Sequence, residues 1–220
     1  MIASALYHKQ STNSVGNKPK NFAAILLSYG IGLGLFHKGD ILTGSNSSGT
    51  EFGHMLLQAD GALCRCGRFG CIEAYASDYA ILRNANKQHP HSAPSDEITA
   101  ESFAALVEKA QRRNGPERKA FEQAGAAIGL GLTNLFALFD PFPVMLVGTS
   151  NAAFSLMESS LYQNLQHYGS DNSKDLIRVY DHETEGSLIL QGASRRALEH
   201  IDLEVFGFGE RNPETATENS

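Results

Sequence analysis

Positive charge is scarce in this chain: 18 lysines and arginines stand against 24 aspartates and glutamates, a net charge of -6. A protein that grips a phosphate backbone needs a basic face, so any contact with DNA has to come from outside this sequence. Long apolar runs are also missing. None approaches the roughly 20 residues of a membrane span, so no membrane partner is expected. The N-terminus has no positive stretch followed by an apolar one, so it does not read as a secretory signal. Cysteine is rare as well, with three in 220 residues, all between positions 64 and 71. Free thiols and the missing signal together suggest the cytoplasm. What remains is an ordinary globular composition, 42% hydrophobic, long enough to bury one large core and neither disordered nor fibrous.

The three cysteines fall in the stretch that organises the chain: Glu51-Phe52-Gly53-His54, nine residues of loop, then Cys64-Arg65-Cys66-Gly67-Arg68-Phe69-Gly70-Cys71-Ile72-Glu73. Thiolate sulfur and imidazole nitrogen are the ligands of a closed tetrahedral zinc site, and Gly67 and Gly70 let such a loop fold back tightly. The spacing predicts one zinc held by His54, Cys64, Cys66 and Cys71. The alternative is a disulfide with one spare thiol, although cysteines one residue apart cannot pair without severe strain. Four protein ligands leave no open coordination position, so the metal is expected to be structural. Carboxylates accept hydrogen bonds in pairs, as vicinal hydroxyls require, and a histidine bound to metal through one nitrogen can offer its other ring N–H to a ligand. Glu51 and Glu73 beside His54 therefore suit a polyhydroxylated ligand. Alternatively, Glu51 is a solvated carboxylate and Glu73 merely favours a helix start.

This pattern resembles the signature of the ROK family, which comprises bacterial repressors of the NagC and Mlc kind together with sugar kinases such as glucokinases and N-acetylmannosamine kinases. The likeness runs, more loosely, from about residue 1 to about residue 200. It implies that Glu51, His54 and Glu73 contact a sugar or sugar phosphate, that the zinc loop supports that pocket, and that the chain assembles as a homo-oligomer. It also implies an α/β fold: an actin-like ATPase, ribonuclease-H-like domain of the sugar kinase type, with its first lobe largely missing. Residues 1–20 are then a remnant helix and linker, 21–205 the C-terminal sugar-binding domain, and 206–220 a disordered tail. The aspartate that serves the kinases as catalytic base, in an Asn-Asp pair, would lie upstream of Met1. Asp40, Asp60 and Asp78 do not stand in its place, so no residue of this chain is assigned as catalytic.

Along the chain, Ile2–Gln10 has a helical pattern without a cap, and Ser11–Asn21 reads as a loop. Strands are expected at Phe22–Ser28, Leu33–His37, Ile41–Leu42, Val144–Val147 and Leu176–Tyr180. Helices are expected at Glu73–Asn86, Thr99–Arg112, Glu117–Phe139, Ala152–Gln166 and Gly186–His200. Small residues Gly125, Gly129 and Gly131 in the long helix suit close packing. His89 and His91 flank Pro90 in a linker and read as a solvated loop.

Two turns bear on nucleotide binding. In ROK kinases the first hairpin turn reads Gly-Thr-Gly-Ile-Gly and cradles phosphate, whereas here it reads Ser28-Tyr29-Gly30-Ile31-Gly32, with a bulky ring where a hydroxyl is expected. The turn after Val147 retains only Gly148 of the consecutive glycines that the resemblance leads one to expect. Gly30, Gly32 and Gly148 are thus the candidate nucleotide contacts, and each also suits a plain turn. The eroded turns favour the effector-sensing part of a transcriptional regulator, with DNA bound only through a domain outside the chain. The alternative is the C-terminal part of a sugar kinase that uses ATP and magnesium.

Overall fold

The computed structural model describes residues 21–44, 50–94, 98–148, 151–168, 175–180, 190–194 and 197–198. The expected helix at 2–10, the loop at 11–20, the greater part of the helix at 186–200 and the tail at 206–220 lie outside those residues. Among the described residues, no helix is long and apolar enough to cross a membrane.

A five-stranded sheet in the order β3-β2-β1-β4-β5 forms the centre. β1 (Phe22–Leu27) is apolar throughout because neighbours cover both of its faces and edges; it pairs antiparallel with β2 (Ile31–His37) and parallel with β4 (Val144–Val147). β3 (Asp40–Ile41) extends the hairpin on one side, and β5 (Ile177–Tyr180) lies parallel to β4 on the other. β2 begins two residues earlier than the sequence suggests, since Ile31 pairs with Leu27 and Gly32 with Leu26. The turn is therefore Ser28 to Gly30, closed by the Ser28 N–H donating to Gly30 O at 3.2 Å.

The expected helix at Glu73–Asn86 is two helices, α1 (Glu73–Ala76) and α2 (Asp78–Ala85). Ser77 breaks it with extended backbone, φ -78° and ψ 164°, while its hydroxyl donates to the Glu73 carbonyl at 2.7 Å. The Asp78 N–H then donates to Ser28 O at 3.0 Å, so the break ties α2 to the β1–β2 turn. Across the break Tyr79 is fully buried, whereas Tyr75 and Leu82 are half-buried.

α3 (Ala100–Arg112) starts with a reciprocal cap between Thr99 and Ser102: each side chain accepts from the other's backbone N–H at 3.1 Å. α4 (Pro116–Phe139) opens with proline in its first turn and ends at Asp140, whose φ of 57° turns the chain into Pro141-Phe142-Pro143. Its small residues serve packing, as expected. A Cβ on Gly125 would meet Met157 O at 2.2 Å, and one on Gly129 would meet Leu161 O at 2.5 Å, so α5 (Asn151–Tyr168) approaches to backbone distance. A Cβ on Gly131 would strike Phe52 and Ile72, both at 2.7 Å, which brings the cysteine loop against another face of the same helix. The core runs continuously from β1 and β4 through α4 and α5 to Phe52 and Ile72.

Candidate metal centre

The loop between His54 and Glu73 is folded by its own backbone. Leu57 N–H and Gln58 N–H both donate to Gly70 O, and Gly70 N–H donates to Ala62 O at 2.8 Å. Gly70 has φ +77°, and a Cβ there would lie 1.7 Å from Gln58 O, so only glycine fits. Cys64 N–H donates to Arg68 O and Gly67 N–H to Cys64 O, which curls Cys64 to Arg68 into a tight knuckle.

This fold gathers the four expected metal-binding residues, with the ligand atoms of His54, Cys64, Cys66 and Cys71 all within 4.8 Å of one another. Cys66 Sγ and Cys71 Sγ are 3.8 Å apart, and Cys64 Sγ lies 3.7 Å from His54 Nδ1. Tetrahedral coordination with metal–sulfur bonds near 2.3 Å separates sulfurs by about 3.8 Å, so the set can hold one ion. All three cysteines are free, which sets the disulfide alternative aside. Cys64 and Cys71 are buried and Cys66 is exposed. Burial pushes the Cys64 thiol up to about 12 and raises Cys71 as well. Burial also works against ionisation of Cys66, but hydrogen bonds from the Arg68 side chain and backbone outweigh it and bring that thiol down to about 7.

Glu51, His54 and Glu73 are placed by different elements. Thr50 holds a left-handed backbone, φ 65°, rare for a β-branched residue, with its hydroxyl donating to Leu33 O at 3.0 Å. Glu51 follows, then the 3-10 turn Phe52–His54. His54 turns Nδ1 to the cysteines and Nε2 to Glu51, whose Oε2 lies 3.8 Å away. That is the division of ring nitrogens expected of a metal-bound histidine facing a ligand site. The Glu51 side chain is 59% exposed and that of His54 24%, so the pair opens to solvent. Glu73 does begin a helix, but it is buried rather than solvated. Its Oε2 accepts the Ile31 N–H at 3.0 Å, and its Oε1 faces the Tyr79 hydroxyl at 3.4 Å and the Cys64 thiol at 3.5 Å. Glu73 therefore links the β1–β2 hairpin to the cysteine knuckle.

The three candidate nucleotide glycines lie toward one end of the sheet, because Leu27 pairs with Ile31 and Leu26 with Val147. A Cβ on Gly30 would be 3.2 Å from Glu73 Oε2, a Cβ on Gly32 would meet open space, and Gly148, φ +89°, sits against Leu26 and Leu27. Tyr29 does not project freely. The Arg65 guanidinium lies 3.9 Å over its ring, and Tyr79 meets it edge-on at 6.3 Å.

Sequence reasoning missed three supporting residues. Arg65 was hidden between two cysteines and read only as loop. Tyr79, whose phenol is raised by burial first and by Cys64 second, ties Glu73 to Cys64. Arg83 is buried and donates to Leu63 O and Ala74 O, clamping both ends of the loop; burial lowers its basicity, and its Nε has no partner among the described residues. The spacing of Tyr79 and Arg83, four apart on a helix that follows the loop, was the available signal.

Comparison with known proteins agrees with this architecture. The chain is 29% identical over 126 residues to the xylose repressor of Bacillus subtilis (strain 168), covering 57% of this chain and 30% of that protein. It is 32% identical over 139 residues to the glucokinase of Streptomyces coelicolor, covering 57% of this chain and 43% of the enzyme. It thus spans less than half the length of these curated relatives. The fold matches a ROK family transcriptional regulator, a homologue of the Escherichia coli MLC protein, with TM-score 0.67 and 22% identity, over 90% of this chain and 49% of that one. It matches the ROK glucokinase of Streptomyces griseus, solved with glucose and AMPPNP, with TM-score 0.65 and 21% identity, over 88% of this chain and 65% of that one. The mixed sheet is thus of the sugar kinase, actin-like type. With the ROK family matched over residues 3–197, the chain belongs to that family.

Proposed function

We propose that the chain is the sugar-binding, effector-sensing part of a ROK transcriptional regulator of the NagC or Mlc kind, built on a structural zinc at His54, Cys64, Cys66 and Cys71. The observation that favours a regulator over a kinase is the Tyr29 ring, covered by Arg65 at 3.9 Å. A turn that cradles phosphate must let backbone N–H groups meet the anion directly, and a ring stacked beneath a guanidinium fills that approach. The lone Gly148 adds to this reading.

In it, Glu51 and Glu73 accept hydrogen bonds from neighbouring sugar hydroxyls, and the Nε2 edge of His54 donates a third. Glu73 can do so only by sharing or releasing one of its present partners, which couples sugar binding to the hairpin and the knuckle. Zinc, when bound, fixes the His54 tautomer and holds the loop closed. A sugar that favours one arrangement of domains or subunits would shift operator affinity by that preference, with DNA contacted outside this chain. The glucokinase relative keeps a second reading in view: a sugar kinase, with ATP and magnesium engaged at Gly30, Gly32 and Gly148.

Calorimetry on the zinc-loaded 220-residue chain tests the sugar site, and titration with AMPPNP and magnesium separates the two readings. Glucose, xylose or N-acetylglucosamine should bind, Glu51→Gln should weaken that binding by roughly 10- to 100-fold, and AMPPNP should not bind. Saturable AMPPNP binding would favour the kinase reading. Failure of every sugar to bind would remove the sensor.

A further inference from the structure

A concavity of about 680 Å³ lies against the metal loop yet shares none of its lining with Glu51, His54 or Glu73. That volume is within the range of small-molecule sites. Its polar lining includes Gln58, Asp60, Asn84, His89, His91 and Gln123, over an apolar floor that includes Ala126 and Leu130 of α4.

The walls are fixed before any ligand arrives. The Tyr75 hydroxyl accepts the Ala62 N–H at 2.9 Å and donates to Gln58 Oε1 at 3.3 Å. The His89-Pro90-His91 segment is not the loose loop its sequence suggests. Pro90 O accepts the Leu63 N–H at 3.0 Å, His91 packs on Phe69 of the metal loop at 4.9 Å, and His89 Nδ1 accepts the His91 N–H at 3.1 Å. Preorganised walls of this kind reduce the ordering cost of binding. The side chains of Asp60, Asn84 and Gln123, by contrast, have no hydrogen-bond partner among the described residues, and the Nε2 edge of His89 is unengaged.

The chemistry of the lining narrows the ligand. No lysine or arginine contributes to it, and its one charge is the Asp60 carboxylate, so an anion has no counter-charge there. Nor does the lining form a metal cluster: among the described residues, the ligand atoms that gather in a group of three or more are those of His54 and the three cysteines. Amides that both donate and accept, a carboxylate that accepts in pairs, and a tyrosine ring for apolar C–H faces suit a neutral, polyhydroxylated molecule. We propose that this concavity is a second carbohydrate site, selective for neutral saccharides over their phosphates and separate from the site at Glu51, His54 and Glu73.

The test is NMR of the full chain, zinc-loaded and carrying 13C-labelled histidine, with the His89 and His91 ring signals assigned through His89→Gln and His91→Gln. Titration with maltose should move both signals saturably, in the wild type and equally in Glu51→Gln. Glucose 6-phosphate should act roughly tenfold more weakly, and Gln123→Leu, at an exposed position, should weaken maltose by roughly tenfold. The proposal is overturned if maltose leaves the His89 and His91 signals in place or moves only that of His54. It is equally overturned if glucose 6-phosphate competes evenly or Gln123→Leu binds maltose like the wild type. The first site is read separately, because its failure would leave His54 unmoved by glucose, xylose or N-acetylglucosamine while His89 and His91 still responded to maltose.

Discussion

Replacing Glu73 by glutamine removes a charge while leaving the shape of the side chain unchanged, and the structure says what that costs. The amide oxygen can keep the Ile31 N–H, now at 3.0 Å, but the amide nitrogen then faces the Tyr79 hydroxyl and the Cys64 thiol, which both donate toward Glu73. Tyr79 can turn its proton to Cys64 Sγ, 3.7 Å away, so one hydrogen bond to a carboxylate is lost outright and another is weakened. For a buried acceptor that is about 2 kcal/mol, or a fall in Tm of roughly 4–8 °C for a chain of this size. Thermal unfolding of the metal-free protein, in which Cys64 still carries its proton, followed by circular dichroism, measures it. Tyr79→Phe should cost less than Glu73→Gln, and the double variant should cost less than the sum, because both changes break the same pair. A Glu73→Gln protein melting within about 1 °C of the wild type, or strict additivity with Tyr79→Phe, would refute the reasoning.

Elemental analysis should find one zinc per chain, and a chelator should lower Tm and abolish sugar binding, with zinc but not magnesium restoring both; unchanged melting after metal removal would show that the loop closes without it. In the metal-free chain, alkylation should reach Cys66 first, with a midpoint near pH 7, while Cys64, held protonated by burial, resists until strongly alkaline pH. Because metal must displace those thiol protons, zinc affinity should rise with pH and fall in acid; equal labelling of Cys64 and Cys66 in peptide mapping would contradict this. Gly125→Leu should destabilise by about 3 kcal/mol or more, since its first added carbon already meets Met157 O at 2.2 Å. Gly32→Ala, pointing into open space, should change stability by no more than about 0.5 kcal/mol in either direction, and comparable denaturation midpoints for the two would be inconsistent with the packing described.

The clustering of His54 with the three cysteines was legible because it is local: four residues with restrictive chemistry at fixed spacing need no knowledge of the rest of the chain. The strands were legible for the same reason, through short apolar runs such as Val144–Val147. What could not be read depended on partners distant in sequence. The break at Ser77 has no helix-breaking residue to announce it and is tied down by a bond from Asp78 to Ser28. The burial of Glu73 depends on the Ile31 N–H, 42 positions away. The stack of Arg65 on Tyr29 joins two turns that sequence reading treated as unrelated.

α4 carries on different faces the backbone-close contact with α5 at Gly125 and Gly129 and the contact with Phe52 and Ile72 at Gly131. Interlocked at that distance, neither helix can slide or rotate without lifting away from the other, so the middle amides of α4 should exchange with solvent only when the whole chain opens. A motion that reports a ligand has to be cheaper than that. It is therefore confined to parts not keyed into the helix, of which the exposed side chain of Glu51 is one. In that division of labour α4 and α5 act as the stator of the machine, and whatever moves does so at the rim of the loop.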